Sequence, residues 1–112
     1  MYVDGFVLAV PTANKQKYID LAAAVWVGFK AAGALRLVEC WGDDVPDGKL
    51  TSFPMAVKRE PDETVVFSWV EWPDKATRDA AHEAMRMEDH PPMPFDGARM
   101  IYGGFTPILD VS

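Results

Sequence analysis

Two segments of the chain are apolar on both faces when read as strands, and this restricts the fold more than any other feature. Residues 63–72 carry Val65, Val66, Phe67, Trp69, Val70 and Trp72, a β-branched and aromatic composition that suits an extended strand. Successive side chains of a strand point to opposite faces, so both faces of this one are apolar. Residues 2–10 repeat the feature, with Tyr2, Asp4, Phe6, Leu8 and Val10 on one side and Val3, Gly5, Val7 and Ala9 on the other, before Pro11 ends the run. A strand apolar on both sides has to be covered on both sides. The chain must therefore supply one layer of helices and find a second cover elsewhere.

The helices are legible by period. Between residues 12 and 32, Tyr18, Leu21, Ala22, Val25, Trp26 and Phe29 recur at helical spacing, with Lys15, Lys17, Asp20 and Lys30 on the opposite side. Thr12 or Asn14 is the expected cap and Gly33 the stop. A second helix is expected from Lys75 to about Glu88, capped by Asp74, with Ala76, Ala80, Ala84 and Met87 as a narrow stripe. Residues 34–41 and 98–108 read as further strands, the last interrupted by Gly103 and Gly104. Residues 42–51 and 88–97, rich in Asp, Pro and Gly, read as loops. Residues 52–59 stay open between strand and helix, because Phe53, Met55 and Val57 alternate while Ser52 ahead of Phe53 and Pro54 suits a helix start.

The resulting order, βαββαβ, implies an α+β fold of ferredoxin-like type, an antiparallel sheet with two helices on one face. One such domain accounts for residues 1–112, within the usual domain size. The other face is then too apolar for a monomer: Phe6 and Leu8, together with one alternating set from the strand holding Phe67 and Trp69, form a patch larger than soluble monomers expose. A second copy, making a homodimer, is the simplest cover. The formal charge of −6 disfavours nucleic acid and anionic membrane surfaces as partners. The apolar runs are too short to span a bilayer, and the absence of a signal-like start implies a cytoplasmic protein. Cys40, the single cysteine, has no partner for a disulfide within the chain.

Four stretches, residues 2–6, 38–49, 65–73 and 93–105, resemble the YbaA-like family of uncharacterised bacterial proteins (domain of unknown function 1428), and the resemblance spans nearly the whole chain. It implies the dimeric α+β-barrel superfamily, in which two ferredoxin-like subunits pack their sheets together. The family brings no established activity and no catalytic residues. Proteins of similar fold include cofactor-independent monooxygenases, isomerases, dehalogenase-like enzymes and binding proteins, so function has to be argued from the site.

Candidate sites follow from residue chemistry. Glu39, Asp43, Asp44 and Asp47 are a possible set for a hard cation, but Val45 and Pro54 stand where an EF-hand loop needs ligands, which leaves a solvated turn paired with Lys49 or Arg99. His82, on the polar side of its helix, and His90 lack spaced partners for zinc, so no metal is expected. Cys40 has no neighbouring base and reads as core or pocket lining. Ser68 lacks a nucleophile elbow, and no glycine loop precedes a helix to hold phosphate, so no cofactor is implied. What remains is a set of polar residues on apolar strands: Asp4, Arg36, Glu39, Ser68, Glu71, Arg99 and Tyr102. Buried charges must pair or meet a ligand.

Two readings of that set are open. One is an Arg–carboxylate network that holds sheet and dimer together. The other is a small pocket between sheet and helices, walled by Trp26, Phe29, Trp41, Phe67 and Trp69 and touched by Tyr102, in which Arg36 or Arg99 orients an anionic or carbonyl group. Asp4 or Glu39 would then be the base. Strand alternation puts Arg36 and Glu39 on opposite faces. The expected function is binding of a small aromatic or carboxylate-bearing molecule. The alternatives are a cofactor-independent monooxygenase or isomerase in the same pocket, and an interaction module using a strand edge or the loop near Pro91 and Pro94.

Overall fold

The computed structural model describes residues 1–86 and 92–112. The elements in chain order are β1 Tyr2–Pro11, α1 Lys15–Ala31, β2 Arg36–Trp41, α2 Phe53–Ala56, β3 Glu63–Trp72, α3 Lys75–Arg86 and β4 Ile101–Phe105, with 3-10 turns at Thr12–Asn14 and Gly97–Arg99. The two doubly apolar strands take the middle of the sheet, where both faces are farthest from water. β1 and β3 pair antiparallel along their full length, from Tyr2 opposite Trp72 to Pro11 opposite Glu63. The short strands β2 and β4 flank them, giving an open antiparallel sheet of order β2-β3-β1-β4.

Register decides which residues share a face. Phe6 lies opposite Ser68 and Tyr102, Leu8 opposite Val66, and Glu39 opposite Ser68. That face is covered by α1 and α3. One core cluster joins Phe29, Ala34, Val70, Trp72 and Ala81; another joins Leu8, Val10, Tyr18 and Val66. Trp72, wholly buried, meets the Phe29 ring edge-on at 5.7 Å. An indole of its size contributes about 4–6 kcal/mol of transfer free energy as an upper bound. The other face carries Val3, Val7, Val38, Cys40, Phe67, Trp69, Ile101 and Phe105 by the same register. The expectation that Phe6 and Leu8 lie on the uncovered face, with Phe67 and Trp69 in a pocket under the helices, is therefore corrected: Phe6 and Leu8 share the helix-covered face with Ser68 and Val66, and the antiparallel register puts Phe67 and Trp69 on the other side.

The unassigned segment is a helix. Ser52 Oγ accepts from the Met55 amide at 3.1 Å, and Pro54 sits in the first turn, where its missing N–H costs nothing. Among the described residues there are thus three α-helices, and α2 lies on the face opposite α1 and α3. Val57, fully buried, fixes it against Ala9 and Val65, while Phe53 meets Phe67 edge-on at 6.0 Å.

Several boundaries also shift. α1 starts at Lys15 without the expected side-chain cap, since the Thr12 hydroxyl bonds that of Thr64 at 2.7 Å and Asn14 Nδ2 donates to the Pro94 carbonyl at 2.9 Å. It stops at Gly33, whose φ of +108° suits glycine and whose missing Cβ leaves room for Thr77 Cγ2. Asp74 does cap α3, accepting from the Thr77 amide at 2.7 Å. The end expected for that helix, Met87 and Glu88, lies outside the described residues, as do His90 and Pro91. β4 is shorter than expected: Gly97–Arg99 coil into a turn capped by the Asp96 carboxylate, and residues 106–112 leave the sheet. No described helix is long and apolar enough to cross a membrane.

Candidate functional site

A cavity of about 770 Å³ lies between the sheet and the two long helices. Phe6, Leu8, Leu37 and Val70 form its floor, Leu21, Val25 and Phe29 of α1 one wall, Ala81, Ala84 and Met85 of α3 another, and Met93, Phe95 and Met100 close one end. The space exists because both helices turn small residues inward: Ala22, Ala24 and Gly28 on α1, Ala81 and Ala84 on α3. A Cβ added to Gly28 would meet nothing within 4 Å.

Among the described residues lining this cavity only Tyr18, Glu39 and Ser68 have polar side chains. They converge. Glu39 and Ser68 are direct cross-strand partners, and the Tyr18 hydroxyl donates to Glu39 Oε2 at 2.7 Å. Glu39 stays accessible because the cavity is open, yet the walls around it are hydrocarbon. The lost hydration raises its pKa above the usual carboxylate value, while hydrogen bonding from Tyr18 and Ser68 acts in the opposite direction. The Tyr18 phenol is driven upward, first by burial and then by the charge of Glu39, so it remains a donor. The described lining residues include no lysine, arginine or histidine.

The other carboxylate of this face has the opposite surroundings. Asp4, 1% exposed, accepts from Trp72 Nε1 at 3.0 Å and from Arg78 Nε at 2.9 Å; Nε2 of His82 lies 2.9 Å from Oδ2. Arg78 also lies over the Tyr2 ring, its guanidinium carbon 5.4 Å from the centroid. Asp4 is enclosed by donors and does not line the cavity. Arg99 is likewise engaged: its guanidinium holds both Glu63 oxygens at 2.7 and 2.6 Å, the Lys58 carbonyl at 2.8 Å and Asp96 at 2.9 Å. It ties the turn before β4 to the end of α2 and the start of β3. The hydrogen bonds from Arg99 hold the Glu63 carboxyl below its usual pKa.

The residues singled out from sequence therefore divide. Glu39 and Phe29 line the cavity; Trp26 and Trp41 pack at its core clusters, and Tyr102, mostly exposed on the edge strand, stacks on Phe6 at 6.2 Å. Phe67, Trp69 and Arg36 are on the opposite face, where Arg36 lies 3.7 Å from Glu71. Cys40 is exposed there, not core or pocket lining, because β2 is an edge strand. Arg99 pairs with Glu63 and Asp96 and not with the acidic loop. His82 reaches inward to Asp4, although its place in the helical pattern suggested the polar side. Among the described residues no three His, Cys, Asp or Glu side chains gather as a metal site. Tyr18 was visible in sequence only as one member of an apolar stripe, and its hydroxyl in the first turn of α1 was the overlooked signal.

Comparison with known proteins places the chain among its relatives. It is 58% identical over 114 aligned positions to the uncharacterized protein YbaA of Escherichia coli K12, covering 97% of both chains, and equally similar to the YbaA protein of Shigella flexneri. A family profile described as a protein of unknown function (DUF1428) matches residues 1–97. The chain belongs to the DUF1428 family of proteins of unknown function.

Proposed function

We propose that the chain binds a small, largely apolar and preferably aromatic molecule in the cavity between sheet and helices, through a hydroxyl or amine that donates to Glu39. The observation that carries this reading is a cavity of about 770 Å³ with hydrocarbon walls and one carboxylate–tyrosine pair among its described lining. The volume falls in the range of about 300–1,000 Å³ that small-molecule sites occupy. With a carboxylate and no cation among the described lining residues, an anionic ligand would meet like charge, so a phenol or quinol fits better than an aromatic acid. The test is calorimetric titration with paired ligands such as 2-naphthol and 2-naphthoate. Binding of the phenol, weakened at least about tenfold by Glu39→Gln and abolished by filling the cavity with Gly28→Leu, supports the reading. Equal binding of both ligands, or none by either, refutes it.

A second reading assigns turnover to the same pair. A carboxylate with a raised pKa, close to a tyrosine that stays protonated, suits removal of a proton from a bound phenol or carbon acid, the step that a cofactor-independent isomerase or monooxygenase requires. Loss of turnover of a model dienol in Glu39→Gln, with ligand affinity retained, would favour it over binding alone.

We further infer that two copies pack their uncovered sheet faces together. The strand order β2-β3-β1-β4 supports a ferredoxin-like subunit, and Phe67, 44% exposed, and Phe105, 60% exposed, support a face that needs cover. Such a pair would form the dimeric α+β barrel.

A further inference from the structure

We propose that the segment following β4, residues 106–112, is part of the contact between two copies of this chain and decides whether they stay together; this rests on the face-to-face dimer just described. The segment leaves the sheet directly after Phe105, a residue of the uncovered face, and it carries Ile108 at 98%, Leu109 at 78% and Val111 at 78% exposure. Three aliphatic side chains in a row of seven residues, almost wholly in water, are as unfavourable as the bare sheet face they adjoin.

Area decides what covers them. Phe53, Met55, Phe67, Phe105 and Ile101 expose roughly half of each side chain, and with large side-chain areas of about 150–250 Å² the face and its short helix offer on the order of 500 Å² per copy. Two such faces bury about 1,000 Å² in total, only the lower bound of what a specific interface needs. The three aliphatic residues of 106–112 add about 300 Å² per copy. The total then reaches about 1,600 Å², the usual size of a stable complex. A partner of another kind is not required, because the two exposed elements of one copy suffice for each other when related by a twofold axis. Such an axis makes every contact twice, so each copy's segment seats on the other. The rim is compatible with self-association: Arg36 and Glu71 lie side by side on the same face, so opposite charges are present on both copies.

The experiment is light scattering and sedimentation of three proteins across micromolar concentrations: the full chain, a chain ending at Phe105, and the full chain carrying Ile108→Asp and Leu109→Asp. The expected result is twice 12.4 kDa for the full chain, with dissociation at least about a hundredfold easier in both variants. The double substitution keeps the test valid where the shortened chain fails to fold, and circular dichroism identifies that case. A full chain that scatters as 12.4 kDa overturns the dimer reading itself. A full chain that is dimeric, with both variants equally tight, leaves the dimer standing and overturns the role of residues 106–112.

Discussion

Replacing Asp4 with alanine should cost this protein more than any other single change to a polar side chain. The carboxylate is on β1, at the face covered by α3, and three side chains are directed at it: the Trp72 indole, the Arg78 guanidinium and the His82 imidazole. The Asp4 and Arg78 side chains are 2% and 16% exposed, so water cannot readily replace what is lost. Truncating one partner of such a pair leaves an uncompensated cation in a partly buried site, which costs about 3–5 kcal/mol. The indole N–H left without an acceptor accounts for part of that, about 1–3 kcal/mol. Urea unfolding at fixed protein concentration is the assay. With a slope of about 1.5 kcal/mol/M, Asp4→Ala should lower the midpoint by about 2–3 M, and a thermal scan should show a fall of about 10–20 °C. Arg78→Met should cost less, because the carboxylate keeps the indole and imidazole. The double variant should then show a coupling of about 2 kcal/mol. A loss below about 1 kcal/mol for Asp4→Ala, or additivity of the two changes, would mean that solvent repairs the site and that the network is not what joins β1 to α3.

Other outcomes follow from the same geometry. Gly33→Ala, forced into a φ of +108° against Thr77 Cγ2, should destabilise by about 1–3 kcal/mol in the same urea assay. Gly28→Ala, in the middle of α1 with open space around the new methyl, should stabilise by about 0.5–1 kcal/mol. Glu63, held below its usual 4.5 by Arg99, contributes stability that is present above pH 4.5 and lost as pH falls through its folded value. Glu63→Gln should flatten that acid limb in a pH series of melting temperatures. Glu39, shifted upward, acts in the other direction: its contribution is complete below 4.5 and declines as pH rises through its folded value, a decline that Glu39→Gln should remove.

The sequence disclosed the sheet more fully than the site. β1 and β3 are legible because side chains that are apolar on both faces leave no alternative to a central position, and Asp74 and Gly33 announced the ends of helices by local chemistry. Register was not legible. Whether Phe6 shares a face with Ser68 or with Phe67 depends on a one-residue choice in pairing, and each choice is equally apolar. That single ambiguity moved Phe67 and Trp69 from the expected pocket to the opposite face. The short helix at Phe53–Ala56 was ambiguous for a related reason: four residues are too few for a period, and only the Ser52 cap and Pro54 argued for it. Arg36 and Arg99 could be read from sequence either as members of an Arg–carboxylate network or as groups that orient a ligand, because a charge on an apolar strand must pair or meet one. Both have carboxylates within 4 Å, and which carboxylates they meet is something no local pattern indicates.

The two buried-face carboxylates explain why one of them is the better candidate for chemistry. Asp4 and Glu39 stand on the same side of one sheet, under the same pair of helices, and both looked equivalent as bases. Their partners separate them. A guanidinium, an indole and an imidazole around Asp4 stabilise its negative charge and occupy its lone pairs, so it has nothing to offer a ligand and its removal is a loss of stability. Glu39 has neutral hydroxyl neighbours and an open apolar space beside it, so its charge is only partly compensated and a ligand that donates a proton or a hydrogen bond improves its situation. The difference predicts opposite phenotypes for paired amide substitutions: Asp4→Asn should lower the melting temperature and leave the affinity of the folded protein for 2-naphthol intact, whereas Glu39→Gln should leave stability near neutral pH unchanged or raised and weaken binding. If the two substitutions instead behave alike in both assays, the division between a structural and a ligand-facing carboxylate is wrong.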